Sequence, residues 1–292
     1  MWAVLPLGAV FIVISIIIGL MINTIIIRLT MVLEGYSLEK YKENRFVHPI
    51  WEMFHKRQWE KFDRYRMDFS KSKEVKRALI YRNIYNYFSQ CLYESIKNPG
   101  IDKTTLDENL KKHILPTELG NVFKSVEVYP LWKYGMDGVF FWTRIELLTS
   151  EENRKILEKL RAVVDMSVGL TWIFFFSAFA YILVLSSDGK YILSMAFFIL
   201  FLLLSLFSYN MAVESALKFG VYSRSIFDLY REELWKKMKM GKFESIKDLP
   251  EKERWGNVFR YLWFFDTIQC PECGIFYERT KGHKCSKSPG QK

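Results

Sequence analysis

MSVGLTWIFFFSAFAYILVLSSDGKYILSMAFFILFLLLSLFSYNMAV, Met166 to Val213, decides the fold. From Met166 to Leu185, and again from Tyr191 to Val213, there is no Asp, Glu, Lys, Arg or His. About 20 apolar residues rising 1.5 Å each are enough to cross a hydrocarbon core. Each run therefore predicts a membrane-spanning helix, and the polar Ser186–Lys190 segment between them predicts a tight turn, so the pair reads as a transmembrane hairpin. Trp172, Tyr181, Tyr191 and Tyr209 stand toward the run ends, where amphipathic rings favour the headgroup level.

Upstream, Met1 to Ile27 is also free of charge, and Arg28 ends it. A cleaved signal peptide opens on basic residues and closes on a small-residue cleavage site. Neither is evident, so the run reads as a retained anchor, with Trp2 near its outer end. The expected fold is an all-α membrane protein: three transmembrane helices, a cytoplasmic helical domain and a small C-terminal zinc ribbon. Its parts are an anchor (1–28), a helical domain (29–163), the hairpin (164–213), a helical extension (214–262) and the tail (263–292).

The chain has 292 residues and a formal charge of +10, from 42 Lys and Arg against 32 Asp and Glu. Of the basic residues, 25 lie from Arg28 to Arg161 and 16 from Lys218 onward. Those nearest the spans set orientation: Arg28, then Arg154, Lys155, Lys159 and Arg161, then Lys218 and Arg224. They place both large polar segments in the cytoplasm and the N-terminus and Asp188 turn outside, in a multi-pass protein of the cell membrane. The positive charge is thus a topology signal first, and nucleic acid is not required to explain it.

Spans without ionisable groups argue against a pump or coupled transporter, which keep such groups where they work. Gly8, Ser15, Gly19 and Asn23 share a face of the first run, as do Ser205, Ser208, Ala212 and Ala216 of the third. Small residues at this spacing let helices approach closely in lipid. Packing within the chain is the reading preferred over a subunit interface.

In the polar part, Trp51, Phe54, Phe62, Tyr65 and Phe69 recur at helical spacing, as do Leu79, Ile80, Ile84, Tyr87, Cys91 and Leu92. Both stretches read as amphipathic helices, the second ended by Pro99-Gly100. The basic and aromatic RQWEKFDRYR admits RNA binding or a helix lying on a bilayer, but Glu60 and Asp63 dilute its charge. Packing of the aromatic face inside the domain is preferred. Thr149 and Glu152 have capping-box spacing, and no Pro or Gly follows until Gly169. The second span therefore extends a helix begun in the cytoplasm. The third reads as helix to about Met240, bent at Gly220, with a stop at Gly241; together they form a stalk.

Pro116-Thr117 predicts a helix start with Thr117 as N-cap. Pro130 is expected to break that helix. Gly135 and Gly138 suit close approach, and Asp137 and Arg144 are candidates to pair with other segments. LPTELGNVFKSVEVYPLWKYGMDGVFFWTRIELL, Leu115 to Leu148, resembles a stretch in a group of prokaryotic membrane proteins that share P-T-x-L-G-N, Y-G-x-D-x-V and W-x-R. LEGY (Leu33–Tyr36) and FDLYREELW (Phe227–Trp235) are similar to the same group. The resemblance implies the anchor, domain and hairpin arrangement and no activity. Asn121, Tyr134, Asp137, Trp142 and Arg144 stand out as a functional site or, preferably, a buried polar clasp.

No enzyme constellation appears: no phosphate loop, dinucleotide fingerprint, nucleophile elbow or H-E-x-x-H. His48, His55 and His113 are scattered, and Cys91 reads as a small buried apolar residue. The tail differs. Cys270, Cys273, His283 and Cys285 form a C-x2-C-x9-H-x-C set, three thiolates and an imidazole suited to closed, structural zinc. In a reducing compartment metal is favoured over disulfide. Zinc replaces the core that so short a segment lacks and presents a rigid contact surface. The sequence thus reads as a membrane-anchored scaffold with a structural zinc tail, a protein partner or a homo-oligomer. An oligomeric channel-like protein is the alternative, and a membrane-proximal enzyme the second.

Overall fold

The computed structural model describes residues 25–68, 111, 114–187, 189, 191–238, 246–263, 267–269 and 276–278. Within them the chain is helical apart from one short strand pair. The helices are α1 (25–33), α2 (Tyr36–Lys40), α3 (His48–Asp68), α4 (Glu118–Tyr134), α5 (Gly138–Glu146), α6 (Glu151–Ser187), α7 (Tyr191–Met238) and α8 (Glu251–Trp263). Strands β1 (Thr267–Gln269) and β2 (Phe276–Glu278) pair antiparallel, Gln269 opposite Phe276.

Two of these helices, α6 and α7, are long and apolar enough to cross a membrane. Their 37 and 48 residues correspond to about 55 and 72 Å at 1.5 Å per residue. Each is a single helix running on from its apolar run into charged sequence. Helix α6 keeps Ser186 and Ser187, so the polar turn is shorter than the sequence implied, and Gly189 sits in it at φ 73°. The first expected span is described only from residue 25. The expected helix from Lys76 to Tyr93, Cys91, His113 and the stop at Gly241 lie outside the described residues.

The chain divides into two compact units whose segments alternate in sequence. The first comprises Met1–Lys73, Glu108–Phe123 and Glu158–Phe219, the second Glu74–Asp107, Lys124–Leu157 and Gly220–Lys292.

In the first unit, α1 lies along the start of the α6 apolar run. Trp172 Nε1 donates to Leu29 O at 3.2 Å, and Gly169 leaves room for Ile26. Helices α6 and α7 are joined by small polar groups: Ser205 Oγ donates to Thr171 O at 2.9 Å, and Ser194 Oγ to Ile182 O at 3.4 Å. Ser205, Ser208, Ala212 and Ala216 are all buried within the chain. In an apolar surround, such backbone-directed bonds satisfy hydroxyls that lipid would leave unpaired.

Two sequence expectations need correction at helix ends. Pro130 does not break α4, which continues to Tyr134 with the proline inside. Proline removes one N–H, but four residues of helix beyond it are secured by a glycine stop: Gly135, at φ 77°, donates to Leu131 O at 2.9 Å. The start of α6 is capped one residue later than expected. Thr149 Oγ1 and N both turn back to Ile145 O, closing the helix before, while Asn153 N reaches Ser150 Oγ at 3.4 Å. Ser150, not Thr149, is the cap.

Thr117 caps α4 as its sequence implies, accepting from Gly120 N at 3.1 Å. The helix α3 spans the expected aromatic segment, but its faces differ from expectation. Phe62 is fully buried, whereas Phe54 is exposed. The inner face is Trp51, His55, Gln58 and Phe62, and Trp51 Nε1 bonds Glu39 Oε2 at 2.7 Å. Tyr65 and Phe69 lie outside the residues whose side chains are described.

Candidate functional site

The quoted motif residues fall into two separate knots. In the first unit, LEGY meets P-T-x-L-G-N. A Cβ on Gly120 would stand 1.8 Å from Glu34 O, and one on Gly35 would stand 2.8 Å from the Pro116 ring. Only glycine lets these backbones touch. Asn121 is buried beside them, its side chain accepting from Leu115 N at 2.8 Å and donating to Leu115 O at 2.9 Å. One amide thus satisfies both backbone groups of a loop residue that has no helical partner. Leu119 N donates to Tyr209 OH at 3.3 Å.

In the second unit, Y-G-x-D-x-V and W-x-R meet FDLYREELW. Tyr134 OH donates to Asp228 Oδ1 at 2.6 Å, and Tyr129 OH reaches both Asp228 oxygens at 2.8 and 2.9 Å. Lys133 Nζ donates to Tyr129 OH at 2.6 Å and stands 3.3 Å from both Asp228 oxygens. Arg231 lies with its guanidinium carbon 4.3 Å from the Tyr134 ring centre, bonds Asp228 O and pairs with Glu251 at 3.0 Å. Trp142 packs on Phe227, ring centres 5.7 Å apart.

The elements explain this convergence. Lys133 and Tyr129 are four apart on α4, and Asp228 and Arg231 three apart on α7, so each pair shares a helix face. Gly138 brings α5 against α4: a Cβ there would meet Glu127 O at 2.2 Å. Gly220 makes room for Val126, whose Cγ2 would be 2.6 Å from a Cβ.

Burial, then the hydrogen bond to Asp228, pushes the Tyr134 phenol up to about 12. Burial raises Tyr129 as well, over the opposing pull of the Lys133 hydrogen bond. Burial works against the Lys133 charge, yet its bonds to Tyr129 and Tyr134 and the Asp228 carboxylate hold its pKa above the usual lysine value. At neutral pH all three keep their protons. They serve as donors to one carboxylate, a fixed network with no base among its phenols or amine.

Arg224, on the same helix, is 7% exposed, with its guanidinium carbon 5.8 Å from the Tyr129 ring centre. Its Nη1 is buried without a hydrogen-bond partner.

Among the described residues, Asp137 and Arg144 bond within α5 rather than across to another segment. Asp137 is the N-cap, its Oδ1 accepting from Phe140 N at 2.7 Å. Arg144 Nη1 donates to Phe140 O at 2.8 Å, with its guanidinium carbon 4.0 Å from the Phe140 ring centre. Both line an open groove of about 550 Å³ with Val139, Phe140, Thr143, Phe259 and Trp263. Its floor continues into packed aromatics: Phe140 stands edge-on to Phe259 and Trp263, and Phe141 to buried Trp255.

Of the five residues singled out from sequence, Tyr134 and Trp142 reach α7, Asp137 and Arg144 share the groove, and Asn121 belongs to the other unit. Sequence reasoning missed Tyr129, Lys133, Asp228 and Arg231. The available signal was i, i+4 and i, i+3 spacing within segments already noted. Cys270, Cys273, His283 and Cys285 lie outside the described residues. Among the described residues no group of His, Cys, Asp and Glu is placed to hold a metal.

No family model matches this chain, and no curated protein or solved structure matches it.

Proposed function

We propose that this chain is a membrane-anchored scaffold, held by three spans, with its N-terminus outside and its helical part and tail in the cytoplasm. The observation that carries this reading is the network around Asp228. Two phenols, an ammonium and a guanidinium are all committed to one side chain and its backbone. Their protons are held firmly at neutral pH, which suits a joint between helices better than acid–base chemistry. The groove between α5 and α8 offers aromatic faces, Arg144 and Asp137 for contact. The buried Ser205–Ala216 stripe is used inside the chain, which gives the channel alternative less to stand on.

The tail fits a structural zinc. The pairing of β1 with β2 brackets Cys270 and Cys273 in sequence, as in a knuckle between two strands. Together with His283 and Cys285 the donor set is three thiolates and one imidazole, which closes a tetrahedral shell and leaves no position for substrate. Zinc there would supply folding energy to a short segment and present its basic end to a partner.

Native mass spectrometry of the protein extracted gently from membranes tests the reading. A single copy bound to a second protein, released by Trp263→Ala, is the expected result. A ring of identical subunits without a second protein, conducting in planar bilayers, would overturn it in favour of the channel.

A further inference from the structure

Helix α3 has two apolar faces, and among the described residues the chain covers one. The inner face, Trp51, His55, Gln58 and Phe62, is engaged: Trp51 with Glu39, His55 Nε2 at 2.9 Å from Lys111 O, and Phe62 fully buried. On the other side, Phe46 in the preceding turn and then Ile50, Met53 and Phe54 follow at helical spacing, 83, 49, 59 and 38% exposed. A helix that packs against its own protein needs one apolar stripe. A second one, uncovered, marks a surface for something else.

Its surroundings say what that is. Arg57 and Arg64 continue the same stripe, and Arg45 and Lys56 flank it, all exposed; Glu43, Glu52 and Glu60 are acidic residues nearby. An apolar wedge running into arginines matches the change from acyl chain to anionic headgroup, where basic stems reach outward. The helix is also held at the right level within its unit. Lys61 Nζ pairs with Glu118 at 2.9 Å, and the next residue, Leu119, bonds Tyr209 near the end of the α7 apolar run. At the other end α1 leads from beside Trp172, where the α6 apolar run begins, to Gly35 and α2.

We propose that Phe46, Ile50, Met53 and Phe54 insert into the headgroup–acyl boundary of an anionic bilayer leaflet, with Arg45 and Arg57 on its phosphates. The helix lies along the surface of the membrane that α6 and α7 cross, so the proposal rests on the membrane reading above.

The test uses the full chain in nanodiscs of phosphatidylglycerol and phosphatidylcholine, with a fluorescent noncanonical residue at Ile50, Met53, Ile199 or Leu229. Ile199 lies in the α7 apolar run, and Leu229 is exposed on its charged end. Nitroxide lipid should quench Ile50 and Met53 to within about twofold of Ile199, and aqueous iodide should reach them far less than Leu229. Replacing phosphatidylglycerol with phosphatidylcholine should lower lipid quenching at Ile50 but not at Ile199, and Arg45→Glu with Arg57→Glu should abolish that difference. Ile50 behaving like Leu229 while Ile199 stays in lipid overturns the proposal alone. So does shielding of Ile50 from both quenchers, which would mean a protein or a second copy covers it. Failure of lipid quenching at Ile199 overturns the membrane reading as well.

Discussion

Asp228 receives more hydrogen bonds than any other side chain described above, and its replacement should show it. Asp228→Asn keeps the shape but removes the charge from Tyr129, Tyr134 and Lys133. Bonds to a charged acceptor are worth about 1.5–3 kcal/mol, less when solvent reaches them, so a loss of about 1–2 kcal/mol is expected. Thermal unfolding in nanodiscs measures it, and an unchanged midpoint would mean the network is ornamental. Tyr134 offers a second readout. Its folded pKa of about 12 lies above the ordinary 10.0, so its contribution is full below pH 10 and disappears as pH rises through 12. A phenolate absorbance titration of wild type minus Tyr134→Phe should contain one tyrosine ionising near 12. At Gly138, a Cβ would press on Glu127 O, so Gly138→Ala should destabilise by at least about 2 kcal/mol, read by urea unfolding. Tyr134 stood out in the sequence as a member of the Y-G-x-D-x-V motif, and Gly135 and Gly138 as residues that permit close approach. Asp228 did not, since an aspartate on a charged helix looks like any solvated residue until its partners, some 94 positions earlier, are placed.

Among the elements, the two long helices were legible because nothing in the sequence interrupts them. A run without charge or Pro leaves the backbone only one way to satisfy itself in lipid. Helix ends were less legible. Whether Thr149 closes one helix or opens the next depends on Ile145 O being within reach, which is a matter of tertiary path rather than spacing. The consequence is measurable. Ser150→Ala should accelerate hydrogen exchange at the Asn153 amide and cost about 0.5–1 kcal/mol, while Thr149→Ala should leave that amide unchanged. Equal effects would return the cap to Thr149. The faces of α3 were misjudged for a related reason: Phe54 sits at the border between two stripes, and periodicity alone assigned it to the buried one.

For the whole molecule, hydropathy read out the two helices long and apolar enough to cross a membrane, whereas the alternating membership of the two units left no local trace. Metal analysis should find one zinc per chain, lost in Cys273→Ser with the helical circular dichroism intact; a metal-free wild type with reduced thiols would remove the zinc from this picture. The interleaving of segments also bears on how the protein is made. A nascent chain carries Tyr129, Lys133 and Tyr134 long before Asp228 leaves the ribosome, with α6 and most of α7 still to be made in between. The acceptor reaches its donors only after α6 and most of α7 have been made. Closure of the Asp228 network is therefore a late event of synthesis, and a chain that stops short of Asp228 carries a second unit with its donors unanswered.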